Sequence, residues 1–236
     1  MLPVATPQAG ELNVMPSALR AQLVPRQFTT LSAEVAAKVE KIPFREGERF
    51  KKGEILVQLD CTVHKSQLEK ARALSHGAEK NLATVLRLQE LKSIGALDVS
   101  LAESKVAESR AEVHVMATLV QKCTIPATFA GRVVEQKARE LQFVQTGQPI
   151  LEILDDQHLE LELIVPSRWL NWLGIGTAFQ VAIDETGRRY PVKLTRIGAR
   201  VDPVSQSVKV FGEVHGAFAE LIAGMSGQAE LAPPAP

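Results

Sequence analysis

The sequence predicts an α+β fold, mostly β, in which a long antiparallel α-helical hairpin interrupts a small β unit and a small antiparallel β-barrel follows. Three observations carry this. Val99, Ala102, Val106, Ser109, Val113, Met116 and Val120 recur at alternating steps of three and four, the seam by which one helix buries a narrow stripe against another. A weaker line of the same kind, Leu68, Ala71, Ser75, Ala78, Leu82, Val85 and Gln89, precedes it. On either side of these lines one β-rich pattern occurs twice, and after Asp156 longer strand-like segments take over.

The bulk composition narrows the function. Lys+Arg and Asp+Glu number 27 each, and only one Tyr and two Trp are present, so neither a basic excess nor stacking aromatics prepare the chain for nucleic acid. No nucleic-acid partner is expected. Aromatics make up 5% of the residues, which disfavours a single large aromatic-packed core. No apolar run approaches the roughly 20 residues of a membrane span. The start, Met1 to Thr6, lacks the basic and apolar regions of a secretory signal. Either the chain works in the cytoplasm, or a signal or anchor is absent from it.

Taken in order, residues 1–24 form an N-terminal extension with a strand in its later part, broken by Pro16 and Pro25. The repeat then begins. Leu31–Val39 resembles Ile125–Val133, and the same displacement carries Phe50–Leu59 onto Val144–Ile153 and Gly53 onto Gly147. Ile55, Val57 and Leu59, and again Leu151 and Ile153, alternate as half-buried strands do. Each glycine precedes such a strand, where a turn with positive φ is easiest. A unit of about 30 residues cannot bury its apolar face alone, whereas two copies packed together can. Residues 25–60 and 123–156 are therefore one domain in two pieces.

Residues 61–122 make the hairpin. Gly95 is placed to end the first helix, and Ser100 with Glu103 has capping-box spacing to start the second, with Asp98 as a competing N-cap. Cys61 and Cys123 extend the two seam lines to the hairpin base. If Gln89 faces Val99, Cys61 falls about one turn from Cys123. A wider tip, with Val85 facing Val99, aligns the cysteines. A disulfide closing the whole hairpin and a pair of free buried thiols both remain open.

Residues 157–236 carry the barrel pattern. Leu159, Leu161, Leu163 and Val165 alternate with Glu160, Glu162 and Ile164; a helical turn spans Arg168–Leu173. Strands are expected at Ala178–Ile183, Tyr190–Ile197, Ser207–Val214 and Gly227–Leu231, before a frayed Ala-Pro-Pro-Ala-Pro tail.

At this point the chain resembles a known family, the periplasmic adaptor or membrane fusion (HlyD-like) proteins of tripartite efflux and secretion systems. The matching pieces are Ile42–Asp60, Phe129–Gly131 with Gly147, Val201-Asp-Pro203 with Ser207–Val210, and Leu221 to Gly227. The resemblance implies a lipoyl-like β-sandwich split by a helical hairpin, then a β-barrel. It implies a non-catalytic protein without cofactor, periplasmic and associated with the inner membrane. Its expected partners are an inner-membrane transporter, an outer-membrane duct met by the hairpin tip, and further copies of itself in an adaptor ring. The transporter is expected to be of the resistance-nodulation-division type; an ABC or type I secretion exporter uses the same parts. Family members meet the duct through Arg, Leu four residues on and Ser seven further. Here that reads Arg87, Leu91 and Asp98, with Ser100 as the displaced serine. Many relatives continue into a membrane-proximal domain, so a chain ending after the barrel is expected to be a minimal or shortened adaptor.

Other chemistries fare worse. A lipoyl or biotinyl carrier needs its lysine on a tight turn between the halves, but the first half ends Leu59-Asp60-Cys61 and Lys65 lies within the predicted helix. Cys61-x-x-His64 is weak as a metal pair, and His64 extends the seam line; no metal site is expected. Asp155-Asp156 and Asp184-Glu185 are adjacent acids on turns, which point apart and suit acid–base work poorly.

Overall fold

The computed structural model describes residues 17–216 and 218–231. Most of the N-terminal extension, residues 1–16, and the tail, 232–236, lie outside the described residues. The chain divides into two compact units, Gln27–Asp155 and the remainder.

In the first unit, eight strands form two sheets. They are β2 (Phe28–Ser32), β3 (Ala37–Lys41), β4 (Arg49–Phe50), β5 (Ile55–Asp60), β6 (Thr124–Pro126), β7 (Gly131–Gln136), β8 (Phe143–Val144) and β9 (Pro149–Leu154). One sheet runs β2-β9-β7-β4 and the other β6-β5-β3-β8. Exchanging the two halves of the repeat turns one order into the other. Each sheet thus takes two strands from each half, so neither half has a complete sheet by itself. The turn hydrogen bonds repeat the symmetry: the Gly53 amide donates to the Ala127 carbonyl at 2.8 Å, and the Gly147 amide to the Ala33 carbonyl at 2.7 Å. Both glycines have positive φ, 86° and 84°, which only glycine adopts freely. Val39, Phe50, Leu56, Leu59, Val133, Val144, Ile150, Leu151 and Ile153 fill the space between the sheets.

Between β5 and β6 the chain leaves as α1 (Thr62–Glu90) and returns as α2 (Ala96–Gln121). The helices run alongside each other in opposite directions. Glu79 of α1 accepts two hydrogen bonds from the Arg110 guanidinium of α2, at 2.9 and 2.7 Å. The two lines of residues recognised in the sequence are the buried ones. Leu68, Ala71 and Ser75, and Val99, Ala102, Val106 and Ser109, are buried; Ala78, Leu82, Val85, Val113, Met116 and Val120 are half-buried; Gln89 alone is exposed. Small side chains dominate this stripe, so packing is close but buries little apolar area.

The second unit is a closed barrel of order β1-β10-β13-β12-β11-β14. Its strands are β1 (Ser17–Pro25), β10 (Leu159–Pro166), β11 (Ala178–Ile183), β12 (Arg188–Asp202), β13 (Ser207–Val214) and β14 (Ser226–Leu231). A 3-10 helix, Ser167–Asn171, follows β10 where the sequence places a helical turn. Leu23, Leu161, Leu163, Val165, Val181, Tyr190, Leu194 and Ala229 fill the interior. The barrel is larger than residues 157–236. Strand β1, placed by sequence in a separate extension, pairs with β10 on one side and β14 on the other. The strand closes the barrel because Leu23, fully buried, supplies its core face.

Candidate docking site at the far end of the helix pair

The base of the helix pair is tied to the sandwich. Cys61 and Cys123 are joined by a disulfide with Cα atoms 6.1 Å apart. Both cysteines belong to the sandwich core, and the Leu59 amide donates to the Cys123 carbonyl at 2.8 Å. The strands on either side continue the link, Gln58 of β5 pairing with Thr124 of β6. Of the two readings the sequence left open for the cysteines, the structure has the disulfide; farther along the arm Glu79 meets Arg110. With its sulfur in the bridge, Cys61 is not a thiolate ligand beside His64.

The start of α1 has its own anchor. Asp60 Oδ1 accepts from the Thr62 amide at 3.2 Å and the Thr62 hydroxyl at 2.7 Å. The hydroxyl bond first, and then the amide bond, hold the Asp60 carboxyl below the usual carboxylate range.

At the other end, the turn differs from the sequence expectation. Helix α1 ends at Glu90, and Lys92, not Gly95, takes the left-handed conformation with φ 56°. Gly95 is instead the residue before α2, with φ −88°. Asp98 is not the N-cap: it stands in the first turn, where its Oδ2 accepts from the Gly95 amide at 3.1 Å. A carboxylate there satisfies an amide left open by the helix start and favours the positive end of the helix dipole. Ser100 does not start the helix either. It lies inside α2, its carbonyl accepting from the Ser104 hydroxyl at 2.8 Å.

All four sequence-selected residues, Arg87, Leu91, Asp98 and Ser100, are exposed. Arg87 and Leu91 are one turn apart, linked by the Leu91 amide donating to the Arg87 carbonyl at 3.3 Å. At about 100° per residue both point roughly away from the seam residue Val85. The same end of α2 holds two residues that the heptad reading passed over, Leu97 and Leu101, 72% and 60% exposed. They flank Val99, which is buried, so each projects on the side opposite the seam. Their signal in the sequence was an i, i+4 leucine pair off the a/d line. The far end thus carries uncovered apolar side chains on both helices, Leu91 with the cation of Arg87 on the outer side of the first and Leu97 and Leu101 on the outer side of the second.

No family model matches the chain. A sequence relative, an uncharacterised protein of Haemophilus influenzae, is 23% identical over 216 residues, covering 89% of this chain and 56% of the relative. The chain therefore spans little more than half the length of that protein. Among solved structures, the membrane fusion protein Spr0693 of Streptococcus pneumoniae aligns with TM-score 0.78 at 15% identity, covering 92% of this chain and 99% of the other. A MacA–MexA chimera carrying the Pseudomonas aeruginosa MexA α-hairpin domain gives 0.77 at 16% identity, with 90% and 76% covered. The periplasmic adaptor protein EmrA gives 0.51 at 15% identity, with 90% and 97% covered. With its strand-swapped sandwich, paired helices and six-stranded barrel, the chain has the fold of the membrane fusion and periplasmic adaptor proteins.

Proposed function

We propose that the protein is a periplasmic adaptor subunit of a tripartite exporter, its two helices acting as one hairpin arm that docks on an outer-membrane duct. The observation that carries this is the arm itself: helices inserted into a sandwich, covalently tied at the base, with exposed leucines clustered at the far end in addition to Val63, Leu74 and Val115 along its length. An arm of 29 residues reaches about 43 Å at 1.5 Å per residue. Surface leucines with no structural duty, Leu91, Leu97 and Leu101, fit a partner better than water. Arg87 adds a directional donor at the same end. The adaptor role of the structural neighbours supports the assignment, as does a buried disulfide, which belongs to an oxidising compartment. On this reading the chain associates with the inner membrane, assembles into an adaptor ring and meets a resistance-nodulation-division transporter. An ABC or type I exporter is the alternative transporter.

The test places a photo-crosslinking amino acid at position 91 of the full-length protein in its native cell. Crosslinks to an outer-membrane protein are expected, weakened in a Leu97→Ser/Leu101→Ser background. Labelling confined to cytoplasmic proteins would overturn the export reading. Crosslinks from the barrel unit identify the transporter class. Intact mass separates this role from a lipoyl or biotinyl carrier, since the carrier adds its cofactor to a lysine.

A further inference from the structure

One end of the barrel is built unlike the rest of its surface. Pro166 of β10 pairs with Ser207 of β13, and the Ser167 amide donates to the Gln206 carbonyl at 2.8 Å. The segment after β10 and the β12–β13 turn are therefore neighbours. Both hold out apolar side chains: Leu170 and Ile175 in the first, Val204 in the second, Ile175 at 72% and Val204 at 92% exposure. Trp169 and Trp172, ring centroids 5.2 Å apart, pack partly against the barrel core beside buried Leu173. Ile175 stands between Gly174 and Gly176, and Gly176 has φ 94°, so a glycine turn presents it.

Charge at this end is close to balanced in number, with two cations left outside any ion pair among the described residues. From Ile164 to Ile183 the single charged residue is Arg168. The cations Arg168, Lys193, Arg200 and Lys209 outnumber the carboxylates Glu162, Asp202 and Glu213. Glu162 is paired with Lys209 at 2.5 Å. Asp202 accepts from the Val204 amide and from the amide and hydroxyl of Ser205; Glu213 stands across the strand pair from Lys193. Arg168 and Arg200 are exposed and enter no ion pair among the described residues.

We propose that this end of the barrel seats on an anionic lipid surface. Leu170, Ile175 and Val204 enter the headgroup boundary, the two indoles lie at the interface, and Arg168 and Arg200 meet lipid phosphates. Indole combines an apolar body with a polar N–H, which suits the boundary between headgroups and acyl chains. Arginine keeps its charged head at the phosphates while its stem lies along apolar surface. The apolar residues stand on separate segments, Leu170 in the 3-10 helix, Ile175 between two glycines and Val204 in the β12–β13 turn. A deformable lipid interface accepts that arrangement, whereas a rigid protein partner needs a continuous complementary face. The seating is independent of the docking proposed for the helices, and its failure leaves that reading intact.

Trp169 and Trp172 are the only tryptophans of the chain, so intrinsic fluorescence reports on this end alone. The full chain is titrated with vesicles of phosphatidylcholine, and of phosphatidylcholine with phosphatidylglycerol, each also with brominated acyl chains. A blue shift and bromine quenching are expected on the anionic vesicles. Arg168→Gln and Arg200→Gln should each weaken partitioning about five-fold. Ile175→Asp/Val204→Asp should abolish it while circular dichroism and melting stay unchanged, since both side chains are exposed. Emission unaffected by either vesicle overturns the proposal. So does equal partitioning onto phosphatidylcholine alone, or a blue shift that follows protein concentration without lipid, which assigns the end to a second copy of the chain.

Discussion

Asp60 fixes the point where a strand becomes a helix, through the Thr62 amide and hydroxyl that bind its carboxylate. Those bonds depress its pKa in the folded protein. A carboxyl depressed on folding contributes stability above its unfolded pKa, near 4, and that contribution disappears as pH falls through the folded value. Asp60→Asn keeps an oxygen acceptor and removes the titration. The expected result is a variant less stable than the parent at neutral pH, with the difference shrinking below about pH 4; urea midpoints measured across pH check it. A constant difference at every pH would assign Asp60 no electrostatic role. This residue was not legible beforehand, because its partner is two residues away and the same Asp-x-Thr spacing occurs in any loop. The same limit explains the tip. Gly95 is a conformational licence that any turn can use, and here Lys92 adopts the left-handed backbone instead.

For the helices, periodicity carried more information than composition. A seam of small and apolar residues at three–four spacing leaves one geometric solution, and every residue on it except Gln89 is buried or half-buried in the structure. Register was not legible, because a stripe of Ala, Ser and Val shifted by one turn packs almost as well. The Cys61–Cys123 bridge fixes the two chains at the base of the helices. Titration of denatured, unreduced protein is expected to find no reactive thiol. Cys61→Ala/Cys123→Ala opens a loop whose ends are 62 residues apart in sequence, a loss of about 2–4 kcal/mol. The loss is checked by denaturant unfolding of the variant against the parent. It should also appear as faster amide exchange at the base of α1 and α2, where the weak seam alone then holds the helices together. Equal stability and exchange with and without the bridge would show that the seam suffices.

At the scale of the whole molecule, the two units differ in how far sequence reveals them. The sandwich announced itself by internal repetition, and its two sheets exchange under that repeat. The barrel did not announce its sixth strand. Ser17 pairs with Leu231, a contact between residues so distant in the chain that no local pattern records it. Each unit nevertheless has its own core, and this supports a separable response to damage. A Cβ at Gly131 would overlap the Leu154 carbonyl oxygen, a backbone atom that cannot swing aside. Gly131→Ala is therefore expected to loosen the sandwich. Leu163, 1% exposed in the barrel, leaves a cavity on Leu163→Ala that costs about 2–5 kcal/mol. Hydrogen exchange read peptide by peptide distinguishes the two cases. Gly131→Ala should raise exchange across β2–β9 and leave β10–β14 near the parent, with the opposite pattern for Leu163→Ala. The N-terminal peptide is the decisive one, since β1 precedes the sandwich in sequence but belongs to the barrel by pairing. It should follow Leu163→Ala; if it follows Gly131→Ala instead, barrel closure by β1 is wrong.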